Sequence, residues 1–159
     1  MSASAGPELA GGCQCGAVRY RIERAAILTL YACHCRECQR QSASAFALSL
    51  KIPRPAFELE TSVELGSWSR STDRGGRSRA FFCPAGGSRI LHDTGDSSAW
   101  VSLKAGLLDD IADLTPIGHI WTARALPLVR FRPDDPIFER QPESYEPLIE
   151  AWRRLRRAG

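Results

Sequence analysis

Lysine is nearly missing from this chain. It occurs only at Lys51 and Lys104, although Lys and Arg together number 21. The positive charge is therefore almost all guanidinium, which pairs bidentately with carboxylates and phosphates. An acidic small molecule is one ligand that fits this bias; a GC-rich genome favouring Arg codons is its plainer source. Excess charge of either sign is also small. A net +3 is too mild for a nucleic-acid or anionic-membrane partner, and the basic residues are not interleaved with aromatics. No apolar run reaches the length of a membrane span. The opening Met1–Pro7 lacks the basic-then-apolar order of a secretory leader. The sequence thus reads as a cytoplasmic chain whose thiols stay reduced. It has no internal repeat and no low-complexity segment. With 159 residues it reads as one domain, long enough to bury a core without disulfides or metals.

Six cysteines stand out against that background. Cys33, Cys35 and Cys38 form a C-x-C-x-x-C cluster, Cys13 and Cys15 a C-x-C pair, and Cys83 stands alone downstream. Three disulfides are formally possible, but such spacing in a cytosolic chain reads better as metal ligation. Short loops bring thiolate donors together at low entropic cost, which is how zinc sites are assembled. Cys33, Cys35 and Cys38 offer three ligands from one loop. His34 is poorly placed to join its two neighbours on the same ion. An open fourth position is the geometry of a catalytic zinc; closure by a distant ligand such as His92 or Cys83 would instead make a structural one. Cys35-x-x-Cys38 also has the spacing of a redox pair, against which stand the extra Cys33 and the absence of a βαβ pattern.

The rest of the chain reads as many short strands separated by turn residues, a mainly β pattern. Strands are expected over 17–22, 27–33, 46–51, 57–59, 63–68, 89–92, 99–103, 119–122 and 129–132, with a short helical turn at 36–41 and residues 80–82 leading into Cys83. Ser69–Arg79 reads as a polar loop and residues 106–110 as a turn. Tyr145, Leu148, Ile149, Trp152 and Leu155 fall at helical spacing, with Glu143 and Glu146 near the start and four arginines at the end. That order suits an amphipathic helix over about 144–157 and its macrodipole. The expected organisation is a disordered tail over 1–9, a zinc-binding β domain over 10–132, and a C-terminal extension over 133–159 carrying the helix.

Four segments resemble a known family. Gly12-Cys-Gln-Cys-Gly-Ala-Val-Arg-Tyr20, Cys33-His-Cys-Arg-Glu-Cys-Gln-Arg40, Arg79-Ala-Phe-Phe-Cys-Pro-Ala-Gly-Gly-Ser88, and Ala105-Gly-Leu-Leu-Asp-Asp110 with Pro116 and His119-Ile-Trp121 follow one another in the order found there. The chain resembles the glutathione-dependent formaldehyde-activating enzymes, a family that also includes centromere protein V-like proteins. The resemblance implies an Mss4-like fold of small antiparallel sheets and two zinc sites. Carried over residue by residue, Cys13, Cys15 and Cys83 belong to a structural four-thiolate zinc. Cys33, Cys35 and Cys38 hold the catalytic one. The fourth structural cysteine of the pattern falls on Gly86, so that site is left one thiolate short. Pro127-Leu128 also departs from the pattern, at a position where a tryptophan is common, as a packing change.

The implied function is that of a zinc-dependent carbon–sulfur lyase-type enzyme. It would add a glutathione-like thiol to a small aldehyde such as formaldehyde, or reverse that addition. Arg36 and Arg40 would either offset the charge of the three thiolates and engage carboxylates of the thiol substrate, or sit solvated on the surface. His92, His119 and Asp109 read as local structural residues. The competing expectation is a zinc-stabilised binding module without catalysis, with the Arg-rich helix as docking element. A strand-rich body with an appended helix also permits a homodimer.

Overall fold

The computed structural model describes residues 7–95, 98–112 and 114–158. In chain order run β1 (Glu8–Gly12), β2 (Val18–Glu23), β3 (Thr29–Cys33), α1 (Arg36–Ser42) and β4 (Ala47–Pro53). Then come β5 (Phe57–Thr61), β6 (Gly66–Ser71), β7 (Arg77–Phe82), β8 (Arg89–Asp93) and β9 (Trp100–Lys104). The two-residue strands β10 (His119–Ile120) and β11 (Ile137–Phe138) precede α2 (Glu146–Ala158). The chain is mainly β with a C-terminal helix, as its strand pattern and helical spacing imply. It forms two compact units, one from Met1–Ile27 and Lys51–Ile111, the other from Leu28–Leu50 and Ala112–Gly159.

In the first unit β1, β2 and β5 make an antiparallel sheet in that order. Val18, Tyr20 and Ile22 are buried while Arg21 and Glu23 point to solvent, the period-two alternation of a half-covered strand. Arg19 ion-pairs with Asp109, so the aspartate read as a turn residue also ties the 106–110 turn to β2. Gly11 lies against the Tyr20 phenol and the Leu107 carbonyl, with no room for a Cβ. Strands β6 to β9 follow one another by antiparallel pairing. Asp93, its side chain 1% exposed, fixes β8 by bonding Arg54 Nη2 at 2.7 Å and Arg79 Nε at 3.0 Å.

In the second unit the strand order is β11-β10-β3-β4. Every residue of β3 is buried, which is why it reads as a near-continuous apolar run. β10 pairs with both β3 and β11 in parallel, a departure from the all-antiparallel expectation. Helix α2 packs on β3 through Leu148 and Trp152, and Thr29 Oγ1 donates to the Leu148 carbonyl at 3.1 Å. Leu155 stays half exposed. Leu148 is fully buried, so Leu148→Ala is expected to lower stability by about 3 kcal/mol through the cavity it leaves. A drop in urea midpoint with unchanged m-value checks this.

Three expectations need correction. Of the tail expected over 1–9, residues 1–6 lie outside the described residues, whereas Glu8 and Leu9 already pair with Glu23 and Ile22. Ser69–Arg79 is not a loop throughout: its ends belong to the β6–β7 hairpin, and only the turn around Thr72–Gly76 is irregular. Val129–Arg132 forms no strand; its Phe131 packs on two histidine rings instead.

Candidate metal centres

The end of β3 delivers Cys33, and Cys35 becomes the N-cap of α1, where its sulfur accepts the backbone N–H of Cys38 at 3.3 Å. That bond and the start of the helix both favour a thiolate at this position. The sulfurs of Cys33, Cys35 and Cys38 lie within 4.8 Å of one another. Cys33 and Cys38 are buried and Cys35 is half exposed, so the cluster is reachable from one side. None of the three is in a disulfide. Crowding by the Cys35 and Cys38 sulfurs, with burial, holds the Cys33 thiol well above its ordinary pKa. Three thiols this close cannot all ionise alone; a divalent cation among them removes that obstacle. The donor set therefore fits a soft or borderline metal such as zinc.

Around this loop lies a buried polar chain. Gln39 Nε2 donates to the His34 carbonyl at 2.8 Å and to the Arg124 carbonyl at 2.9 Å. Nε2 of His34 and Nδ1 of His119 are 3.0 Å apart, and Nε2 of His119 is 3.3 Å from Asp135. Arg132 holds the Asp135 carboxylate from the other side. Asp135 can only accept, so His119 carries its proton on Nε2. His34 then donates through Nε2 to His119 Nδ1. This leaves His34 Nδ1 as a buried acceptor with no partner among the described residues. Phe46 and Phe131 pack on the His34 ring. Tyr145, its ring tilted against that of Tyr31 and bonded by Gln141 at 2.9 Å, has its phenol raised by burial and further by the nearby Cys33 and Cys38 sulfurs.

Burial, reinforced by His119, lowers His34 to about 4 against the opposing pull of Cys35. Burial also lowers His119, against Asp135. Both rings are neutral at pH 7. A histidine depressed below its unfolded value of about 6.5 binds protons in the unfolded state first, so stability falls as pH drops from there toward the folded value. The expected result is a progressive loss of stability as pH falls from about 6.5 toward 4. Two observations would check this: C2–H resonances that do not titrate between pH 8 and 6, and a lower urea midpoint at pH 5 than at pH 7.

The second cluster lies in the first unit. Cys13 follows β1, Cys15 lies in the turn before β2, and Cys83 follows β7. The Cys13 and Cys15 sulfurs are 3.3 Å apart, those of Cys15 and Cys83 3.5 Å, and all three lie within 4.8 Å. Burial opposes ionisation of Cys13, but the Val18 N–H and the two neighbouring sulfurs outweigh it and bring the thiol to about 7. The Ala17 backbone favours the Cys15 thiolate, yet Cys13 and Cys83 outweigh that and leave its pKa raised. This donor set also fits a thiophilic divalent ion.

The structure thus brings together both cysteine groups singled out in the sequence. Arg36 bonds Gln39 and Arg40 bonds Glu37 at 2.6 Å, so both are engaged locally. Sequence reasoning missed Tyr31, Tyr145 and Asp135 as neighbours of the central cluster and gave His119 only a local role. The Pro116…His119 segment was the one signal for the latter.

A mainly β chain with two three-thiol groups, each able to hold a metal ion, defines the class of protein at hand. Residues 8–124 match the family described as glutathione-dependent formaldehyde-activating enzyme, and the chain belongs to that family. Its fold is similar to the crystal structure of a protein from Rhodobacter sphaeroides, at 18% identity and a TM-score of 0.50, covering 65% of this chain and 91% of that one. No curated protein matches the sequence significantly. Among the described residues no helix is long and apolar enough to cross a membrane.

Proposed function

We propose that the chain is a zinc-dependent carbon–sulfur lyase-type enzyme that adds a glutathione-like thiol to a small aldehyde, formaldehyde first, or reverses that addition. The observation that carries this reading is the convergence of Cys33, Cys35 and Cys38 within 4.8 Å, inside the segment that matches the family. In the reaction the thiol sulfur forms a bond to the carbonyl carbon. The carbonyl π pair moves to oxygen, which gains a proton as the thiol gives one up, and S-hydroxymethylglutathione results.

Cys33, Cys35 and Cys38 would hold the zinc. Bound zinc supplies thiolate stabilisation for an incoming sulfur, the role that suits a centre already made negative by three cysteines. The chain's own residues supply position. The Cys38 N–H and the α1 N-terminus hold Cys35, and Gln39 clamps the loop at His34 and Arg124. The Asp135–His119–His34 chain fixes the His34 ring between two ligand cysteines, while Phe46 and Phe131 keep water from it. The assignment of Cys13, Cys15 and Cys83 to a second zinc rests on the same donor logic.

The test is exchange spectroscopy of isotopically labelled formaldehyde with glutathione, with and without protein. Exchange faster than the uncatalysed rate is expected. No acceleration across a panel of thiols and aldehydes would favour the non-catalytic binding module instead.

A further inference from the structure

The chain contains the same thiol-bearing turn twice, and one copy stops a ligand short. In the central cluster Cys38 N donates to Cys35 Sγ at 3.3 Å and Gln39 N to the Cys35 carbonyl at 3.0 Å. In the first unit Gly86 N donates to Cys83 Sγ at 3.4 Å and Gly87 N to the Cys83 carbonyl at 2.8 Å. The two turns match bond for bond, so Gly86 occupies the place that Cys38 fills. A Cβ at position 86 would stand 2.8 Å from Cys15 Sγ, which puts this position on the edge of the three sulfurs. Among the described residues no other His, Cys, Asp or Glu joins the group of Cys13, Cys15 and Cys83. Cys15 is exposed while Cys13 and Cys83 are buried, so the edge bearing Gly86 is the one open to solvent.

We propose that Cys13, Cys15 and Cys83 form a three-thiolate metal site whose fourth ligand is an exogenous small thiol, admitted at the edge left free by Gly86. Four-coordinate zinc needs one more donor than the protein supplies here. The three-sulfur set favours a soft fourth donor over water. The incoming thiol gives its proton to solvent and its sulfur lone pair to the metal, so no oxidant or reductant is involved. The backbone at 86 is not in the left-handed region, so a side chain there is opposed by the close approach of Cys15 and not by backbone strain, and the exposed turn that carries Cys15 must shift slightly with its sulfur kept in the group. The proposal rests on metal binding at this cluster and not on turnover at Cys33, Cys35 and Cys38.

The test uses full-length protein loaded with Co(II), whose visible and sulfur-to-cobalt bands report thiolate number. Wild type, Gly86→Cys, Gly86→Ala and Cys15→Ser are titrated with glutathione and with β-mercaptoethanol. In the wild type, thiol addition is expected to strengthen the sulfur-to-cobalt bands at this site; in Gly86→Ala, whose methyl would stand 2.8 Å from Cys15 Sγ on the same edge, the strengthening is expected to be smaller. Gly86→Cys should show the stronger bands before any thiol is added and lose about half of the thiol response. Zinc-loaded Gly86→Cys should also release that metal to a chromogenic chelator about tenfold or more slowly. Cys15→Ser, which removes a ligand from this cluster alone, covers the case in which Gly86→Cys does not fold: it should lose the same share of the thiol response. Equal thiol responses in wild type and Cys15→Ser, or a wild-type spectrum untouched by either thiol, would overturn the proposal. Thiol-responsive metal at this cluster with no aldehyde exchange would sustain it while removing the enzymatic reading of the central one.

Discussion

Cys35→Ser is expected to lose the metal of the central cluster and to reduce thiol–aldehyde exchange by about 100-fold or more, while the fold survives. Serine is a preferred N-cap, so its hydroxyl can take over the Cys38 N–H that Cys35 Sγ now accepts. What it cannot replace is a soft thiolate donor. The half-exposed position of Cys35 also spares the variant a buried, poorly packed hydroxyl, which Cys33→Ser would have. The circular dichroism spectrum should therefore stay close to wild type while metal content and exchange rate fall together, and the urea midpoint should match that of metal-depleted wild type. An exchange rate that persists in metal-depleted Cys35→Ser would separate the chemistry from this cluster.

Asp93→Asn is expected to cost about 3 kcal/mol of stability. The carboxylate is buried, yet it accepts from Arg54 at 2.7 Å, from Arg79 at 3.0 and 3.2 Å, and from the Gly95 N–H at 3.1 Å. An amide of the same shape removes the charge that Asp93 sets against both guanidinium groups. Both arginines are partly exposed, 38% and 28%, so solvent moderates the loss below that of a fully buried triad. Burial works against ionisation of Asp93, but the two arginines outweigh it and hold its pKa below the ordinary carboxylate range. A depressed acid contributes stability above its unfolded pKa and loses it as pH falls through the folded one. The gap between wild type and Asp93→Asn should thus be full at pH 7 and shrink below about pH 4. Denaturant midpoints at pH 7, 4 and 3 read this directly.

The cysteine clusters were legible because metal-binding loops encode their donors locally: Cys33, Cys35 and Cys38 sit in one loop, and spacing alone brings them together. Cys83 was legible as the partner of Cys13 and Cys15 only through the family resemblance, since the turn that carries it folds back from the end of β7. The Asp135–His119–His34 chain was not legible. It depends on the parallel pairing of His119 with Ala32 and Ile120 with Cys33, a register between two-residue and five-residue strands that no local pattern specifies. Strand β6 was placed too early because it carries no buried residue, with Trp68 left 49% exposed, so it lacks a clean alternation. Val129–Arg132 alternates apolar and Arg residues as a strand would, but Phe131 is drawn to the histidine pair. The C-terminal helix was found within two residues at its start because its apolar stripe is strong and its charges follow the helix dipole.

The most direct test of the central claim is the zinc content of protein purified without added metal, compared between wild type and Cys35→Ser. A metal centre at Cys33, Cys35 and Cys38 predicts at least one zinc per chain in the wild type and about one equivalent fewer in the variant. Equal zinc in the two proteins, or a metal-free wild type with reversible dithiol chemistry between Cys35 and Cys38, would contradict it.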